Sequence, residues 1–431
     1  MDSSTIAIII LVASFALMLI FRFPVALALA GSTVLTLIYL HIPLEVIGQR
    51  MIQGINSFAL LTIPFFILAG QLMNEGGLAV RLINLAMLAV GRVRGGLAMV
   101  NTLACLMFGN ISGSAAADVS SIGSVMIPMM KKKGYSTEFA TGLTTAAAIQ
   151  GVVVPPSHNL ILYSLASGGV SIAALFMAGV VPGILICITL MIASRILAIR
   201  QGFTQTQVVD RKDVPKVIKE GIISVMPVAI ILGGIFSGWF TASESGAIAV
   251  LYAIIVTFFY FKEIPFSRMG GILIRTFRTV SMVLFLIASS NALSYVLAFL
   301  RIPSLVTDSL LGISDNPIIV LLVINVLLLV LGCGMDMAPL ILIMTPILLP
   351  VVQSLGMDPV HFGIILMLNL GIGLLTPPVG TVLFIGCAIG GIPILKGAKA
   401  MAPFGLVLVV ALMVFTYVPQ ISLWLPRLLG H

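Results

Sequence analysis

Residues 109–118 read GNISGSAAAD, a run of glycine, hydroxyl and carboxyl groups inside a long apolar stretch. A second apolar stretch is interrupted at 332–336 by GCGMD. Each interruption is followed by a proline pair within further apolar sequence, Pro155-Pro156 and Pro377-Pro378. The two pairs are 222 residues apart, whereas the aspartates that close the interruptions are 218 apart. Because this difference is about one helical turn, it fits an insertion within a true repeat.

The composition is that of a membrane protein. Hydrophobic residues make up 60% of the 431 residues and charged residues 8%, and the mean hydropathy is +1.22. Such a chain is expected to cross the bilayer several times. The net charge of +8 arises from Lys and Arg in short loops between apolar runs, as is typical of cytoplasmic loops of membrane proteins. We therefore expect the lipid bilayer as a partner and no nucleic acid.

The first interruption lies in a segment, 97–130, with basic residues at both ends. Arg92 and Arg94 precede it and a lysine run, 131–133, follows it, so both ends are expected on the cytoplasmic side. The 34 residues from 97 to 130 are too few for two full spans. We therefore predict a re-entrant hairpin, the first hairpin, that turns at the polar interruption.

The second interruption lies in a segment, 317–355, with acidic flanks: Asp308, Asp315 and Asp358. This second hairpin is expected to enter from the opposite, external face. Hairpins that enter from opposite faces are typical of an inverted repeat, and glycine- and proline-interrupted segments at matching places in two halves indicate the binding site of a secondary transporter.

These patterns predict an all-α polytopic membrane protein with two inverted-topology repeats, two re-entrant hairpins and two broken helices. We expect five parts: first-half scaffold helices and an interfacial arm, 1–96; first-half transport elements, 97–200, with the first hairpin and a broken helix, 138–168; a cytoplasmic connector, 201–220; second-half scaffold helices, 221–316; and second-half transport elements, 317–431, with the second hairpin, a broken helix, 360–390, and a C-terminal helix. Both termini are expected on the external face. A basic stretch from Arg268 to Arg278 is expected along the cytoplasmic interface, before a span from Val280 to Leu300.

The interruptions predict cation sites. Proline at 155 and 156 removes amide donors, so carbonyl groups one turn earlier, around Gly151 to Val154, lose their helical partners. The turn at 109–114, here called the first tip, adds backbone and hydroxyl oxygens close to this first break, 151–157. A cage of oxygens suits a hard cation such as Na⁺. The second tip, 332–337, and the second break, 373–379, repeat the arrangement, so we expect two Na⁺ sites.

The half-helices that follow the breaks predict an anion site, because helix N-termini carry partial positive charge. The expected substrate-binding residues lie at the first tip, after the first break and after the second break: Asn110, Ser114, Asp118, Ser157, His158, Asn159, Gly380 and Thr381. A carboxylate at membrane depth costs about 2.5–3.5 kcal/mol, which favours a functional role for Asp118 and Asp336. The alternative is that each caps the second helix of its hairpin. For His158 the alternative is a structural histidine.

The segments 109–118, GVVVPPS at 151–157 and GIGLLTPPVG at 371–380 resemble the large membrane subunit of tripartite ATP-independent periplasmic (TRAP) transporters, over essentially the whole chain. The resemblance implies a bacterial inner-membrane elevator carrier with periplasmic termini. It would be driven by Na⁺ and would import organic acids, such as C4-dicarboxylates or sialic-acid-type sugars, from a periplasmic substrate-binding protein. A small four-helix membrane subunit, expected as a separate chain, is the other implied partner.

The same resemblance implies the ligands of the two cation sites. The first Na⁺ site would comprise Gly109, Ser112, Gly151, Val154 and Pro156. The second would comprise Gly332, Asp336, Gly373, Thr376 and Val379.

Other classes of protein fit the sequence less well. An intramembrane aspartyl protease would also place two aspartates in apolar helices, but GCGMD has one residue too many for a Gly-x-Gly-Asp signature, and Asp118 follows alanine. We therefore expect no enzyme. A channel would need a continuous polar pore, whereas polar residues here are confined to the interruptions. A stand-alone Na⁺/dicarboxylate symporter with similar hairpins remains the alternative.

Overall fold

The computed structural model describes residues 3–203, 209–314 and 316–430, and its regular structure is helical throughout these ranges. Asp315 and part of the expected connector, 204–208, lie outside them. In the first range the α-helices are α1 (Ser3–Ile20), α2 (Val25–Tyr39), α3 (Glu45–Ile55), α4 (Thr62–Glu75), α5 (Leu78–Val90), α6 (Gly96–Ser112), α7 (Ala115–Lys132), α8 (Thr137–Ala147), α9 (Gln150–Val153), α10 (His158–Ala166) and α11 (Ile172–Arg200).

The later α-helices are α12 (Val214–Phe236), α13 (Ala242–Ile254), α14 (Met269–Phe299), α15 (Ile302–Leu311), α16 (Pro317–Gly334), α17 (Met337–Ser354), α18 (Pro359–Gly373), α19 (Thr381–Gly390), α20 (Ile394–Tyr417) and α21 (Gln420–Leu428). Short 3₁₀ turns lie at Phe58–Leu61 and Phe266–Arg268, and a π-helical turn, Ile255–Tyr260, continues α13.

The helices are long and apolar enough for a polytopic membrane protein. Within the described ranges, nine helical segments satisfy both conditions: Ser3–Ile20, Phe58–Glu75, Ile172–Arg200, Val214–Phe236, Ala242–Tyr260, Phe266–Phe299, Pro317–Gly334, Met337–Ser354 and Ile394–Tyr417. Many of their large apolar side chains face outward, as expected where lipid is the solvent. The prediction of an all-α membrane protein is confirmed.

Each polar interruption forms a turn between two helices. In the first hairpin, α6 ends at Ser112, Gly113 adopts φ +61°, and Ser114 begins α7. The positive φ explains glycine at this position, since side chains are strained there. In the second hairpin, α16 ends at Gly334 and α17 begins at Met337. The chain therefore reverses at both predicted tips.

The proline pairs lie where helices are broken. The helical path through α8 and α9 ends at Val153, and α10 begins only at His158. In the second half α18 ends at Gly373 and α19 begins at Thr381. Both proline pairs contain a cis peptide bond.

Helices of the two halves interlock around the breaks. The half-helix after the first break, α10, packs against α17 of the second hairpin, and α19 packs against α7 and α8 of the first half. We refer to α6–α11 and α16–α21 as the hairpin body, and to α1–α5 and α12–α15 as the flanking helices. Several flanking helices pack mainly on each other, as in the pairs α4 with α13 and α3 with α14, whereas α5 packs closely on α6 and α15 on α17 of the hairpin body.

A buried asparagine ties each hairpin to its broken helix. In the first half Asn101 Nδ2 of α6 donates to Thr144 Oγ1 of α8 at 2.6 Å. In the second, Asn369 Nδ2 of α18 donates to Asn325 Oδ1 of α16 at 2.8 Å. Polar groups buried in an apolar protein are costly unless paired, so these bonds hold each hairpin and its broken helix in one arrangement.

One expectation about the second half is wrong. The basic stretch from Arg268 to Arg278 was expected to lie along the interface, separate from the following span. Instead, α14 runs without interruption from Met269 to Phe299. No proline or glycine breaks it beyond its first turn, and Arg275 pairs with Glu75 of α4. This pairing lets a basic residue sit within a long helix.

Candidate cation and substrate sites

The first tip and the first break meet through two glycines. A Cβ added to Gly109 would lie 2.6 Å from Cα of Gly151, and one added to Gly151 would lie 3.1 Å from Cα of Gly109. Only residues without side chains allow the two backbones to approach this closely. The contact brings the predicted ligand Gly109 of the tip beside Gly151 of the break.

The carboxylate of Asp118 lies at this glycine contact. Its Oδ2 would be 2.8 Å from a Cβ on Gly109 and 2.6 Å from one on Gly151. Oδ1 accepts a hydrogen bond of 2.5 Å from Ser112 Oγ, whereas Oδ2 is buried and has no hydrogen-bond partner. Asp118 is fully buried, with 0% of its surface exposed. An unpartnered buried carboxylate oxygen is suited to bind a cation.

The capping role considered for Asp118 is wrong. Ser114 occupies the N-cap position of α7, and its side chain accepts from Ala117 N at 3.5 Å. Asp118 lies inside the helix, four residues later. We expected Asp118 among the substrate-binding residues, but the structure places its carboxylate against the expected cation ligands.

Around the first break, backbone groups are enclosed by the tip. A Cβ on Gly113 would lie 3.2 Å from the Pro156 carbonyl oxygen, and Asn159 Nδ2 donates to the Gly113 carbonyl at 3.4 Å. Ser157 Oγ donates to the Val152 carbonyl at 3.1 Å. One carbonyl released by the prolines is thus bound within the break. All residues from Gly151 to Ser157 are buried.

The second tip and break form a matching backbone contact. A Cβ on Gly373 would lie 2.6 Å from Cα of Gly332, and Val379 N donates to the Cys333 carbonyl at 3.1 Å. Thr376 Oγ1 donates to the Ile372 carbonyl at 3.2 Å. The predicted ligands Gly332, Gly373, Thr376 and Val379 therefore lie on segments in contact.

Asp336 differs from Asp118 in its surroundings. It occupies the N-cap position of α17 but makes no capping hydrogen bond, and it is exposed. The second break is open as well: Pro377 and Pro378 are exposed and Val379 is 41% exposed. In this structure the residues of the first break are buried, whereas Asp336 of the second tip and the prolines of the second break are exposed.

A cavity of about 220 Å³ lies between the first tip and two flanking helices. Its lining residues come from α4, the first hairpin, the start of α10, and α14: Ile67, Gly70, Gln71, Asn74, Ser112, Ser114, Ala117, His158, Thr279 and Val283. Two expected substrate-binding residues, Ser114 and His158, are among them. Asn110, Ser157, Asn159, Gly380 and Thr381 are not.

The sequence did not predict the residues that the flanking helices contribute to the lining of this cavity. Gln71 and Asn74 lie three residues apart in α4 and Thr279 lies in α14, within uninterrupted helices. The only signal was two amides at helical spacing in an apolar segment, which alone does not distinguish a binding site from a helix contact.

A polytopic helical protein with two hairpins and two broken helices belongs in the class of membrane transport proteins. The family model for the DctM component of tripartite ATP-independent periplasmic transporters matches residues 12–421. The chain therefore belongs to this family of large permease subunits, which work with a small membrane subunit and a substrate-binding protein. The family is one of transport proteins, so the chain is not an enzyme.

Relatives agree with this assignment, and a solved structure of another transporter has a similar fold. The chain is 39% identical to the sialic acid TRAP transporter large permease protein SiaM of Vibrio cholerae, over 89% of this chain and 90% of the relative. It is 37% identical to the C4-dicarboxylate TRAP transporter large permease protein DctM of the same organism, over 96% of both chains. The crystal structure of the YdaH transporter of Alcanivorax borkumensis has a similar fold, with a TM-score of 0.62 at 13% identity over 89% of each chain.

Proposed function

We propose that this protein is the Na⁺-coupled permease subunit of a bacterial inner-membrane importer for organic acid anions. The observation that supports Na⁺ coupling most directly is the buried Asp118 carboxylate, whose free oxygen adjoins the contact between Gly109 and Gly151. A Na⁺ ion there would satisfy this oxygen and balance its charge. The relatives transport sialic acid and C4-dicarboxylates by name, and a substrate of either class is a carboxylate.

The proposed transport mechanism is an elevator. Support comes from the interlocked packing of α10 with α17 and of α19 with α7, which favours movement of the hairpin body as one unit. Among the described residues, the only side-chain hydrogen bond between the hairpin body and the flanking helices joins Ser121 to Asn74. Few polar bonds would need to break when the body moves against the flanking helices.

In this proposal the two halves are inverted repeats. The hairpins would enter from opposite faces, and both termini would be periplasmic. A substrate-binding protein would deliver the anion on the periplasmic side, and the small subunit would brace the flanking helices. Repeats of this type let a fixed site be exposed alternately to the two sides without a through-pore.

We expect uptake to require Na⁺. The complete transporter, with small subunit and binding protein, is reconstituted in proteoliposomes and supplied with labelled succinate or N-acetylneuraminate. Uptake should follow an inward Na⁺ gradient and should be absent with K⁺ alone, because Na⁺ is the ion proposed to drive transport. Equal uptake driven by a K⁺ gradient, with no Na⁺ on either side, would refute Na⁺ coupling.

We expect Asp336→Asn to weaken Na⁺ dependence at the second site. The change keeps the size of the side chain and removes its charge, so the Na⁺ concentration for half-maximal uptake should rise by about tenfold, as for the loss of one charged ligand. Protein yield should be unchanged, because Asp336 makes no hydrogen bond as a cap. An unaltered Na⁺ dependence would exclude Asp336 from the cation site.

A further inference from the structure

The cavity beside the first tip is lined by two amide side chains whose oxygens are hydrogen bonded and whose nitrogens are not. Gln71 Oε1 accepts a hydrogen bond of 3.0 Å from Thr276 Oγ1, and Asn74 Oδ1 accepts one from Ser121 Oγ. Both amide oxygens are thus engaged by hydroxyl groups. Among the described residues, neither amide nitrogen donates to a protein group. Since a side-chain amide nitrogen carries two donor hydrogens, these two residues, of which Asn74 is exposed and Gln71 half-buried, have four N–H donors that bind no described protein group.

The position of these amides relates them to the first tip. Both lie on α4, one helical turn apart. Gly70, the residue directly before Gln71, brings this helix close to the first tip. A Cβ on Gly70 would lie 3.5 Å from the Ile111 carbonyl oxygen and 3.6 Å from Cα of Ser112. The amides therefore line the same cavity as Ser112 and Ser114, opposite the hairpin body.

The charge of the cavity wall limits what it can bind. Among the described residues no Lys or Arg lines it, so an anion there would be recognised by neutral donors. A fixed positive charge at this place would repel a cation at the adjoining first site, because Coulomb energy between close charges is large away from bulk water. Neutral amide donors avoid this conflict and can still bind a carboxylate by hydrogen bonds.

We infer that Gln71 and Asn74 bind the carboxylate of the transported anion from the side of the flanking helices. This inference rests on the proposed function, and it assigns part of the substrate contacts to residues outside the hairpin body. When the body moves, Ser112 and Ser114 go with it and the two amides stay behind. The anion then loses its amide donors, and its affinity falls in the second state, which favours release.

The test uses substitutions of nearly equal size that replace each amide group with a carboxylate, which can accept hydrogen bonds but not donate them. Gln71→Glu and Asn74→Asp keep the acceptor oxygens for Thr276 and Ser121 but replace the free N–H groups with a carboxylate that repels an anion. Gln53→Glu is the matched control, because Gln53 is exposed on α3 and its oxygen, the acceptor for Arg50, is retained.

The measurement is thermal stabilisation of the purified complex with its small subunit, first by Na⁺ and then by succinate or N-acetylneuraminate at saturating Na⁺. We expect both cavity variants to retain the Na⁺ response and to bind the responding anion at least about tenfold more weakly, as for the loss of a charge-assisted hydrogen bond. The control should match the wild type. The retained Na⁺ response reports that the variants are folded.

The outcomes separate the inference from the function on which it rests. If the wild type responds to one of the anions and both cavity variants respond with equal affinity, Gln71 and Asn74 do not bind the carboxylate, and the proposed function stands. If the wild type responds to Na⁺ and to neither anion, the assignment of C4-dicarboxylate or sialic-acid substrates fails, and the inference fails for these substrates with it. A loss of the Na⁺ response along with the anion response would show that the amides act on the cation site, which also contradicts the inference.

Discussion

Gly151→Ala is expected to reduce Na⁺-driven uptake by at least about tenfold, the effect of roughly 1–3 kcal/mol of overpacking at a close contact. The added methyl group would lie 2.6 Å from Asp118 Oδ2, a distance that forces the carboxylate or the tip to move. Gly151 is buried, so the shift would disturb the packing of the first tip against the first break. The measurement is Na⁺-dependent uptake in proteoliposomes, normalised to reconstituted protein.

The matched control for this change is Gly233→Ala. Gly233 lies in helix α12, and a Cβ there would meet no atom within 4 Å. Uptake by the Gly233→Ala variant should equal that of the wild type, since alanine has a higher helix propensity than glycine. If Gly151→Ala transports as well as the control does, the glycine contact is not part of the transport site.

A disulfide between positions 74 and 121 is expected to stop transport almost completely. Asn74 of α4 and Ser121 of α7 are hydrogen bonded across the boundary between the flanking helices and the hairpin body. In a background without the native cysteines, Asn74→Cys with Ser121→Cys should cross-link on oxidation and hold the body in the state described here. Uptake should be lost relative to the reduced form of the same variant, which already lacks the Asn74 amide and is therefore the reference, and a reductant should restore uptake to that reference level.

A second pair provides the comparison. Thr62 and Ser243 are also in hydroxyl contact, at 2.7 Å, but both lie on flanking helices, α4 and α13. A disulfide there joins parts that do not move relative to each other, so uptake should persist after oxidation. Full uptake by the cross-linked 74–121 pair would contradict the elevator mechanism and would require a local gating motion instead.

Much of the architecture was predictable because the relevant signals are local in the sequence. Glycine and proline within apolar stretches mark turns and helix breaks by their backbone chemistry alone. The turn at Gly113 and the break before His158 lie where those residues indicated. The basic stretch near Arg275 was misjudged because its neutralisation depends on Glu75, a residue distant in sequence. Pairing of this kind is not visible without the fold.

The candidate site was predictable in part for the same reason. The glycine-rich segments pointed to the tips and breaks, and the structure brings Gly109 to Gly151 and Gly332 to Gly373. Sequence reasoning could not show that Asp118 faces these glycines and not the cavity, because side-chain direction depends on how α7 packs. It also could not show that the first site is buried and the second exposed, since this difference depends on how the flanking helices cover the tips.

The contacts between paired glycines have a consequence for how this sequence can vary. Ordinarily a side chain that becomes too large can be accommodated when its neighbour becomes smaller. In the contacts of Gly109 with Gly151 and of Gly332 with Gly373, both partners already lack a side chain. Neither partner can therefore become smaller to make room for a larger residue at the other position. A selection for suppressors of a substitution at one of these glycines should therefore return the original residue and not a change at its partner. The effect should be largest at Gly109, Gly151 and Gly373, where an added Cβ would lie 2.6 Å from a neighbouring atom, and smaller at Gly332, where the nearest atom would be 3.1 Å away.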